Sequence, residues 1–402
     1  MALPSGKIGY KDLDADFVAV GVEPGAGKYA RVLKNRANTS SELFSYPKAS
    51  WIEDPSIVDD SLITTGVAYN ALNGKAATSH SHSTEDISSF GDWAVVSDVN
   101  NNIVFKTLNT ENWTAVADSK FGTSGVVGVC YGNGKFVAVG FNGKIAYSSD
   151  GINWTAASSP VDVTLVDVCY GNGKFVAVGN QKILYSMDAV TWTLIPDSGS
   201  DYNFAGSVCY GNGKFVAGGN GGKMAYSLDG ISWTAVTDSK FNNVSHIYSV
   251  RYGNGKFIAG GGRGGMVCST NGVTWTAVSD SKFGSSYINN ICYGNGKYVA
   301  VGEAGKMAYS SDGISWTAVS DSKFDSTSAI NDVCYGNGKY VAVGHKSTVG
   351  SYEGKVAYSS DGVTWTAVSG SKFGDSTNIS SVCYGNGKFV AVGRNGKIAY
   401  CK

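Results

Sequence analysis

Residues 129–154 read VCYGNGKFVAVGFNGKIAYSSDGINW. The stretch consists of short runs of β-branched, aromatic and small residues, and Gly-Asn-Gly, Asn-Gly and Asp-Gly separate these runs. Glycine and asparagine at such positions supply the positive φ angles that tight hairpin turns require. The stretch therefore predicts a series of short antiparallel strands and nearly excludes helices.

The same unit recurs from about residue 91 onward. Its YGNGK element begins at Tyr131, Tyr170, Tyr210, Tyr252, Tyr293, Tyr335 and Tyr384. Its second element ends at Trp113, Trp154, Trp192, Trp233, Trp275, Trp316 and Trp365. A period near 41 residues without a helical pattern is typical of the four-stranded blade of a β-propeller. We therefore expect a mainly β protein, and in the second copy strands A to D are predicted at 165–170, 174–179, 182–186 and 192–195.

The number of blades depends on how the two ends of the repeat are counted. Residues 91–113 align with strands B, C and D, whereas residues 382–402 align with strands A, B and C. With six complete units, these partial units give 30 strands and eight B–C hairpins. The count favours eight blades, with residues 84–90 as the missing inner strand. Seven blades with one displaced hairpin is the alternative, because propellers often close by sharing a blade between the chain ends.

The turn between strands C and D reads Ser-x-Asp-Gly-x-x-Trp, as in residues 148–154. It resembles the Asp-box of bacterial neuraminidase repeats, although that motif usually has one more residue before its glycine. The resemblance implies a structural role, because Asp and Ser side chains close such a turn by hydrogen bonds to the backbone. The aspartates interpreted as turn residues are Asp150, Asp188, Asp229, Asp312 and Asp361.

Composition limits the partners and the compartment. Lys plus Arg and Asp plus Glu both number 32, so binding of nucleic acid by bulk charge is not expected. No apolar run reaches the 18 residues of a membrane span, and the N-terminus lacks the apolar segment of a secretory signal. Six of eight cysteines share one position in strand A, which predicts buried free thiols in a reducing cytosol rather than disulfides or a zinc site: Cys130, Cys169, Cys209, Cys292, Cys334 and Cys383.

The first ninety residues carry no repeat. Residues 60–74 predict a short helix whose apolar stripe includes Leu62, Val67 and Leu72. Residues 75–90 follow, with the sequence KAATSHSHSTEDISSF. Together, residues 62–90 resemble the connector of phage tail fibres, in which such a helix precedes an Ala-Ala-x-Ser-His-x-His-Ser segment. A propeller after the connector departs from the commoner fibrous or small globular tip.

The resemblance implies a homotrimer with three parts. Residues 1–55 would attach to other tail or baseplate proteins, residues 56–90 would form the helical trimerisation stalk, and residues 91–402 would form the propeller. His80 and His82 face the same side of an extended strand, so three chains would offer six imidazoles to an axial metal ion, although histidines in such a linker are often only solvated. No other cofactor is predicted.

Comparison between the repeats predicts where a partner binds. The A–B and C–D turns scarcely vary, whereas the B–C tips and D–A links on the opposite face do, and recognition is expected on variable loops of a rigid scaffold. One B–C tip, at residues 345–353, carries an insertion of about seven residues. The candidate receptor-binding residues are Phe141, Gln181, Asn220, Arg263, Glu303, His345, Tyr352 and Arg394.

The unit near Ser249 departs most from the others, since Arg251 replaces the cysteine of strand A and Asn271 replaces the turn aspartate. One interpretation is neutral drift. The functional interpretation is that this blade and the inserted loop around Tyr352 form an asymmetric polar and aromatic pocket for a surface glycan or protein.

Three functions compete. The favoured one is a tail fibre that attaches a phage or a phage-tail-like particle to a host cell, made in the host cytoplasm and located in the virion tail. A sialidase-like glycoside hydrolase is the second, but its three converging arginines would have to be Arg251, Arg263 and Arg394, which occupy unlike strand positions. A stand-alone propeller lectin is the third, but the tips differ too much for equivalent sites. No catalytic residue is therefore predicted.

Overall fold

The chain divides into two compact units, residues 1–108 and 109–402. The computed structural model describes residues 112–196, 206–241, 246–373 and 377–402, together with four strands of the first unit. Those strands form two hairpins: Tyr29–Ala30 pairs with Trp51–Ile52, and Trp93–Ser97 pairs with Ile103–Thr107. The predicted stalk, His80, His82 and residues 84–90 lie outside the described residues.

The second unit is a β-propeller of seven four-stranded antiparallel blades. Strand A spans Val126–Gly132, Asp167–Gly171, Ser207–Gly211, Ile247–Gly253, Ile288–Gly294, Ser328–Gly336 and Ile379–Gly385 in blades 1 to 7. Strand B spans Lys135–Gly140, Lys174–Gly179, Lys214–Gly218, Lys256–Gly261, Lys297–Gly302, Lys339–Thr348 and Lys388–Gly393.

Strands C and D complete each blade. Strand C spans Ile145–Ser148, Lys182–Ser186, Met224–Ser227, Met266–Ser269, Met307–Ser310, Ser351–Ser359 and Ile398–Cys401. Strand D spans Thr155–Ala157, Thr193–Leu194, Thr234–Ala235, Thr276–Ala277, Thr317–Ala318 and Thr366–Ala367 in blades 1 to 6. Single 3-10 turns form the B–C tips Phe141–Gly143, Asn220–Gly222, Gly262–Gly264 and Glu303–Gly305. The four predicted strands of blade 2 are confirmed to within two residues at each end.

Blade 7 is closed by the N-terminal end of the propeller. Its strand D is Thr114–Ala115, which pairs with the strand C Ile398–Cys401. Trp113 is fully buried beside Phe373 and Ile379 in the core of this blade. The sequence count that favoured eight blades is therefore corrected to seven. Residues 114–115 complete the last blade rather than an additional one, and the hairpin of Trp93–Ser97 and Ile103–Thr107 is a separate two-stranded sheet.

The hydrophobic core is divided into seven clusters, each between two neighbouring blades. Between blades 1 and 2, for example, Val137 and Val139 pack against Phe175, Leu184 and Trp192. The cluster between blades 7 and 1 closes the ring in the same way. Because every blade buries both faces, its strands B are apolar without alternation, unlike a strand with one solvated side.

The seven strands A surround the axis of the ring, each touching the next. At their ends a tyrosine covers the glycine of the neighbouring strand: a Cβ atom on Gly132 would lie 2.2 Å from Cβ of Tyr170. The same Tyr-on-Gly contact recurs between all seven pairs of blades, including Tyr131 on Gly385. The repeated Tyr-Gly dipeptide is thus explained by the close approach of the strands.

Candidate functional site

The face made of the A–B and C–D turns, here called the uniform face, is held by one repeated set of hydrogen bonds. In blade 5 the side chain of Ser310 donates to Oδ1 of Asp312 at 2.9 Å, and the same oxygen accepts the N–H groups of Ile314 and Ser315 at 2.8 Å. These N–H groups hold the pKa of Asp312 at about 2. The predicted role of the five aspartates as turn residues is therefore supported by their contacts.

Neighbouring blades are joined on the uniform face by the Asn and Lys of the YGNGK turns. Lys174 Nζ donates to the carbonyl oxygen of Asp229 at 2.6 Å, and Asn172 Nδ2 donates to that of Leu228 at 3.3 Å. Equivalent lysine contacts reach Asp188, Asn271, Asp312 and Asp361. Every acceptor is a backbone carbonyl, so these repeated residues join the blades to one another.

The opposite face, made of the B–C tips and D–A links, is here called the variable face. Its backbone is fixed by the Ser-Lys-Phe link between blades: Lys306 Nζ donates to the carbonyl oxygen of Phe283 at 2.8 Å, and Ser322 Oγ donates to that of Gly305 at 2.6 Å. A tip is thereby tied to the link on either side of its blade. The fixed backbone leaves the first tip residue free to differ between blades.

A cleft of about 610 Å³ opens on the variable face at blades 5 and 6. One wall is Tyr248 from blade 4 and Tyr287 from the link before blade 5, whose ring centres are 5.7 Å apart. Asn289 and Asn331, near the starts of strands A, also line the cleft. Nδ2 of Asn289 donates to the carbonyl oxygen of Ile330 at 3.0 Å, and Nδ2 of Asn331 donates to that of Ile379 at 2.7 Å.

The inserted hairpin of blade 6 forms the other wall. His345 lines the cleft, and its ring meets that of Tyr352 edge-on at 4.7 Å. The guanidinium carbon of Arg394, at the tip of blade 7, lies 4.9 Å from the centre of the Tyr352 ring. His345 Nδ1 lies 3.0 Å from Oδ1 of Asn378. Burial lowers the pKa of His345, the hydrogen bond with Asn378 opposes the shift, and the charge of Arg394 adds to it, which favours the neutral imidazole.

All eight predicted receptor-binding residues belong to the variable face, but they do not form one site. Glu303 and His345 line the cleft, and Tyr352 and Arg394 continue its wall. The other four do not line it and belong to the tips of blades 1 to 4: Phe141, Gln181, Asn220 and Arg263.

The divergent blade 4 contributes to the cleft by a residue other than those predicted. Its Tyr248 lines the cleft, whereas Arg251 lies in the inner ring, where Nη1 reaches Oδ2 of Asp167 at 3.2 Å and Oγ of Ser207 at 2.7 Å. The divergent blade and the inserted hairpin thus both line this cleft, whereas Arg251 takes part in contacts between blades. Tyr248, Asn289 and Asn331 occupy equivalent positions, three residues before the Cys or Arg of strand A. That position is Val, Val, Gly, Tyr, Asn, Asn and Ser in blades 1 to 7, a variation that sequence comparison of the strands themselves would have found.

The inner ring between the two faces is polar and blade-specific. Asp332 Oδ2 accepts hydrogen bonds from Ser381 Oγ at 2.6 Å and from the N–H of Val382 at 2.8 Å, which links blades 6 and 7. Burial raises the pKa of Asp332 to about 6, although Arg251 opposes the shift. Burial also raises the pKa of the thiol of Cys209 to about 12. The eight cysteines are free, and the described residues contain no group of three potential metal ligands among His, Cys, Asp and Glu.

No protein-family model and no curated protein sequence matches the chain. Solved structures match the propeller: YCF48 from Cyanidioschyzon merolae is 17% identical with a TM-score of 0.55, and the match covers 72% of this chain and 98% of that one. YCF48 bound to D1 peptide gives the same identity and TM-score over 72% and 94%. A catalytically inactive virginiamycin B lyase from Staphylococcus aureus with quinupristin is 12% identical, with a TM-score of 0.57 over 72% and 98%. At these identities the likeness shows the fold alone. None of the helices in the described part of the chain has the length and apolarity needed to cross a membrane.

Proposed function

We propose that the chain is a receptor-binding tail fibre of a phage or phage-tail-like particle, which recognises a host-surface glycan or protein through the variable face. The observation that carries the proposal is the contrast between the two faces. Repeated contacts to backbone carbonyls hold one face together, whereas the other holds a cleft whose lining differs from blade to blade. Aromatic and amide groups on a rigid frame are the expected composition of a recognition site.

Residues 1–90 supply the other part of the proposal. Their resemblance to a tail-fibre connector favours a trimer in a virion tail, with residues 1–55 bound to the particle and His80 and His82 as candidate ligands of an axial metal ion. Trimeric display would multiply weak contacts of single propellers through a high effective concentration.

The positions of the three arginines favour a binding protein over a sialidase-like enzyme. Such a reaction requires three arginines around one carboxylate. Arg251 instead bonds to Asp167 in the inner ring, Arg394 stacks on Tyr352, and Arg263 belongs to the tip of blade 4. We accordingly propose a binding protein and no enzyme.

The experiment exchanges the inserted hairpin for an ordinary tip. Residues 345–353 are replaced by Glu-Ala, the sequence between Gly302 and Gly305 in blade 5. Adhesion of the labelled full chain to a panel of bacterial strains should fall at least tenfold, while the unfolding temperature should change little. The matched control is Lys182→Gln, because this exposed residue of blade 2 lies outside the inserted hairpin and is not one of the eight candidate residues.

Two results would contradict the proposal. One is unchanged adhesion by the hairpin exchange in a folded protein, which would remove the variable face from recognition. The other is a stable monomer in light scattering of the full chain, which would remove the trimeric fibre. Loss of the trimer on deletion of residues 56–90 would support the stalk.

A further inference from the structure

We propose that the cleft at blades 5 and 6, extended by Arg394, binds an acidic saccharide with its negatively charged group at Arg394 and its hydroxyl groups towards Glu303. The inference rests on the proposed function, because it names the chemistry of the receptor that the variable face would recognise. The ligand is thus defined by its orientation in the cleft as well as by its chemical class.

Opposite charges stand on either side of blade 6. Glu303 and Arg394 both hold the first position of a B–C tip, in blades 5 and 7, and the inserted hairpin of blade 6 lies between these blades. Nearby, Lys346 and Asp325 neutralise each other at 2.9 Å. The two tip residues therefore give the site a negative end and a positive end.

Arg394 is available to an anion. Among the described residues its guanidinium has no carboxylate partner, and its side chain is oriented by stacking on Tyr352. A guanidinium fixed in this way presents parallel N–H donors that match a carboxylate or a phosphate. Stacking also reduces the rotamer entropy that the side chain would lose on binding.

The middle of the site offers an apolar surface and fixed acceptors. The rings of Tyr248 and Tyr287 line the cleft and offer apolar surface for the C–H groups of a sugar ring, and aromatic side chains lose little entropy on binding. Because the Nδ2 groups of Asn289 and Asn331 already donate to backbone carbonyls, their Oδ1 atoms are oriented to accept hydrogen bonds from hydroxyl groups.

His345 adds one more acceptor at the boundary between the two ends. In the neutral tautomer with its proton on Nδ1, this nitrogen donates to Oδ1 of Asn378, and Nε2 is then an acceptor. Oxygen and nitrogen acceptors thus extend from His345 to Glu303, whereas charged donors are concentrated at Arg394. A saccharide has many hydroxyl donors, and one anionic substituent would complete the match. The volume of about 610 Å³ lies within the range of small-ligand sites.

The test uses the full chain on an array of bacterial saccharides in three groups: uronic-acid-containing, phosphate-containing and neutral. Anionic saccharides should be retained, and retention should weaken as salt increases. Arg394→Gln should weaken retention of the anionic groups about tenfold or more, because a charge-assisted hydrogen bond is lost. Lys182→Gln, which removes one exposed positive charge from blade 2, should leave it unchanged. The uronic-acid and phosphate groups distinguish a carboxylate from a phosphate ligand.

Glu303 tests the direction of binding. Glu303→Gln should weaken retention of the same anionic saccharides by less than Arg394→Gln does, because it removes a charge from the hydroxyl end. Equal retention of neutral and anionic saccharides, or an Arg394→Gln variant that binds as well as the parent, would overturn the inference.

Cell adhesion separates this inference from the proposed function. Adhesion that falls with the hairpin exchange and is destroyed by protease treatment of the cells but not by periodate would leave receptor binding standing and overturn the saccharide. Retention of anionic saccharides on the array without adhesion to any strain would support the site and count against the tail fibre.

Discussion

The two faces of the propeller use the same backbone for different purposes. On the uniform face, the lysine of one blade reaches the backbone of the next at five described junctions, with distances from 2.6 to 3.2 Å. On the variable face, the links fix the tip backbone but not its side chains, and blades 4 to 6 combine different residues into one cleft. Repetition in this sequence therefore marks residues that contact the backbone, whereas the tips that depart from repetition form the face proposed for recognition.

The largest predicted effect on stability concerns the closure of blade 7, which depends on the repeated packing between blades. Trp113→Ala should lower the free energy of unfolding by about 4 kcal/mol, because it empties a fully buried site that only the N-terminal strand fills. Urea denaturation followed by circular dichroism measures the change. Asn112→Ala, at the exposed neighbour, is the control. A loss below about 1 kcal/mol for Trp113→Ala would show that the ring closes without this strand.

A smaller effect is expected from one methyl group placed on each face. Gly132→Ala should cost about 3 kcal/mol, because its Cβ would lie 2.2 Å from Cβ of Tyr170. Gly370→Ala, in a link of the variable face, meets no atom within 4 Å and should be nearly neutral. Unfolding temperatures of the two variants give the comparison, and equal temperatures would contradict the close packing of strands A.

The inner ring between the faces predicts a dependence on pH. The pKa of Asp332 is raised by burial to about 6, so its contribution to stability is present below its unfolded pKa near 4 and is lost as pH rises through 6. Asp332→Asn should therefore gain about 2 kcal/mol relative to the parent between pH 4 and pH 7. Asn290 already occupies the equivalent position in blade 5. Denaturation curves at several pH values test this, and a constant difference between the two proteins would refute it.

The turns of the uniform face should tolerate an amide better than a methyl group. Asp229→Ala should cost about 1 kcal/mol, because the N–H groups of Ile231 and Ser232 lose their acceptor. Asp229→Asn should cost less than half of that, since Asn271 makes the corresponding contacts in blade 4. The two variants are compared by chemical denaturation, and equal losses would mean that the turn depends on charge rather than on an acceptor.

The smallest effect on stability should come from the variable face. Tyr352→Ala removes contacts with His345 and Arg394 only at the surface and should cost about 0.5 kcal/mol. Its binding to cells should nevertheless fall at least tenfold if the site is as proposed. A large loss of stability would instead place Tyr352 among the structural residues.

The propeller could be predicted from the sequence because its signals are local and repeated. Gly-Asn-Gly and Asp-Gly fix the turns, and the strands between them are too short for other structures, so blade 2 was predicted almost residue by residue. The sequence count favoured the wrong number of blades, because residues 114–115 pair with residues 399–400, which are distant in the sequence. Nothing local in either segment specifies that pairing.

The candidate site could be predicted only in part for the same reason. Tip residues such as Glu303 and Arg394 stood out because the tips vary at a recognisable turn. Tyr248, Asn289 and Asn331 come together from three blades, and their proximity depends on the ring order and on a bulge near the start of each strand A in these blades. Chemistry assembled from separate repeats in this way has no signature within any one of them.

The closure of blade 7 also has a consequence for biosynthesis. Among the strands of the propeller, strand D of this blade is translated first and its partner, Ile398–Cys401, last, so Thr114–Ala115 stays unpaired until the rest of the propeller has been made. A chain that terminates early lacks the strand that seals the ring and exposes an unpaired strand edge. A contact between strands so far apart in the sequence forms slowly. The entropic cost of closing the loop between them is only slightly larger than that of closing a shorter loop. The ring is therefore sealed only after all seven blades have been translated.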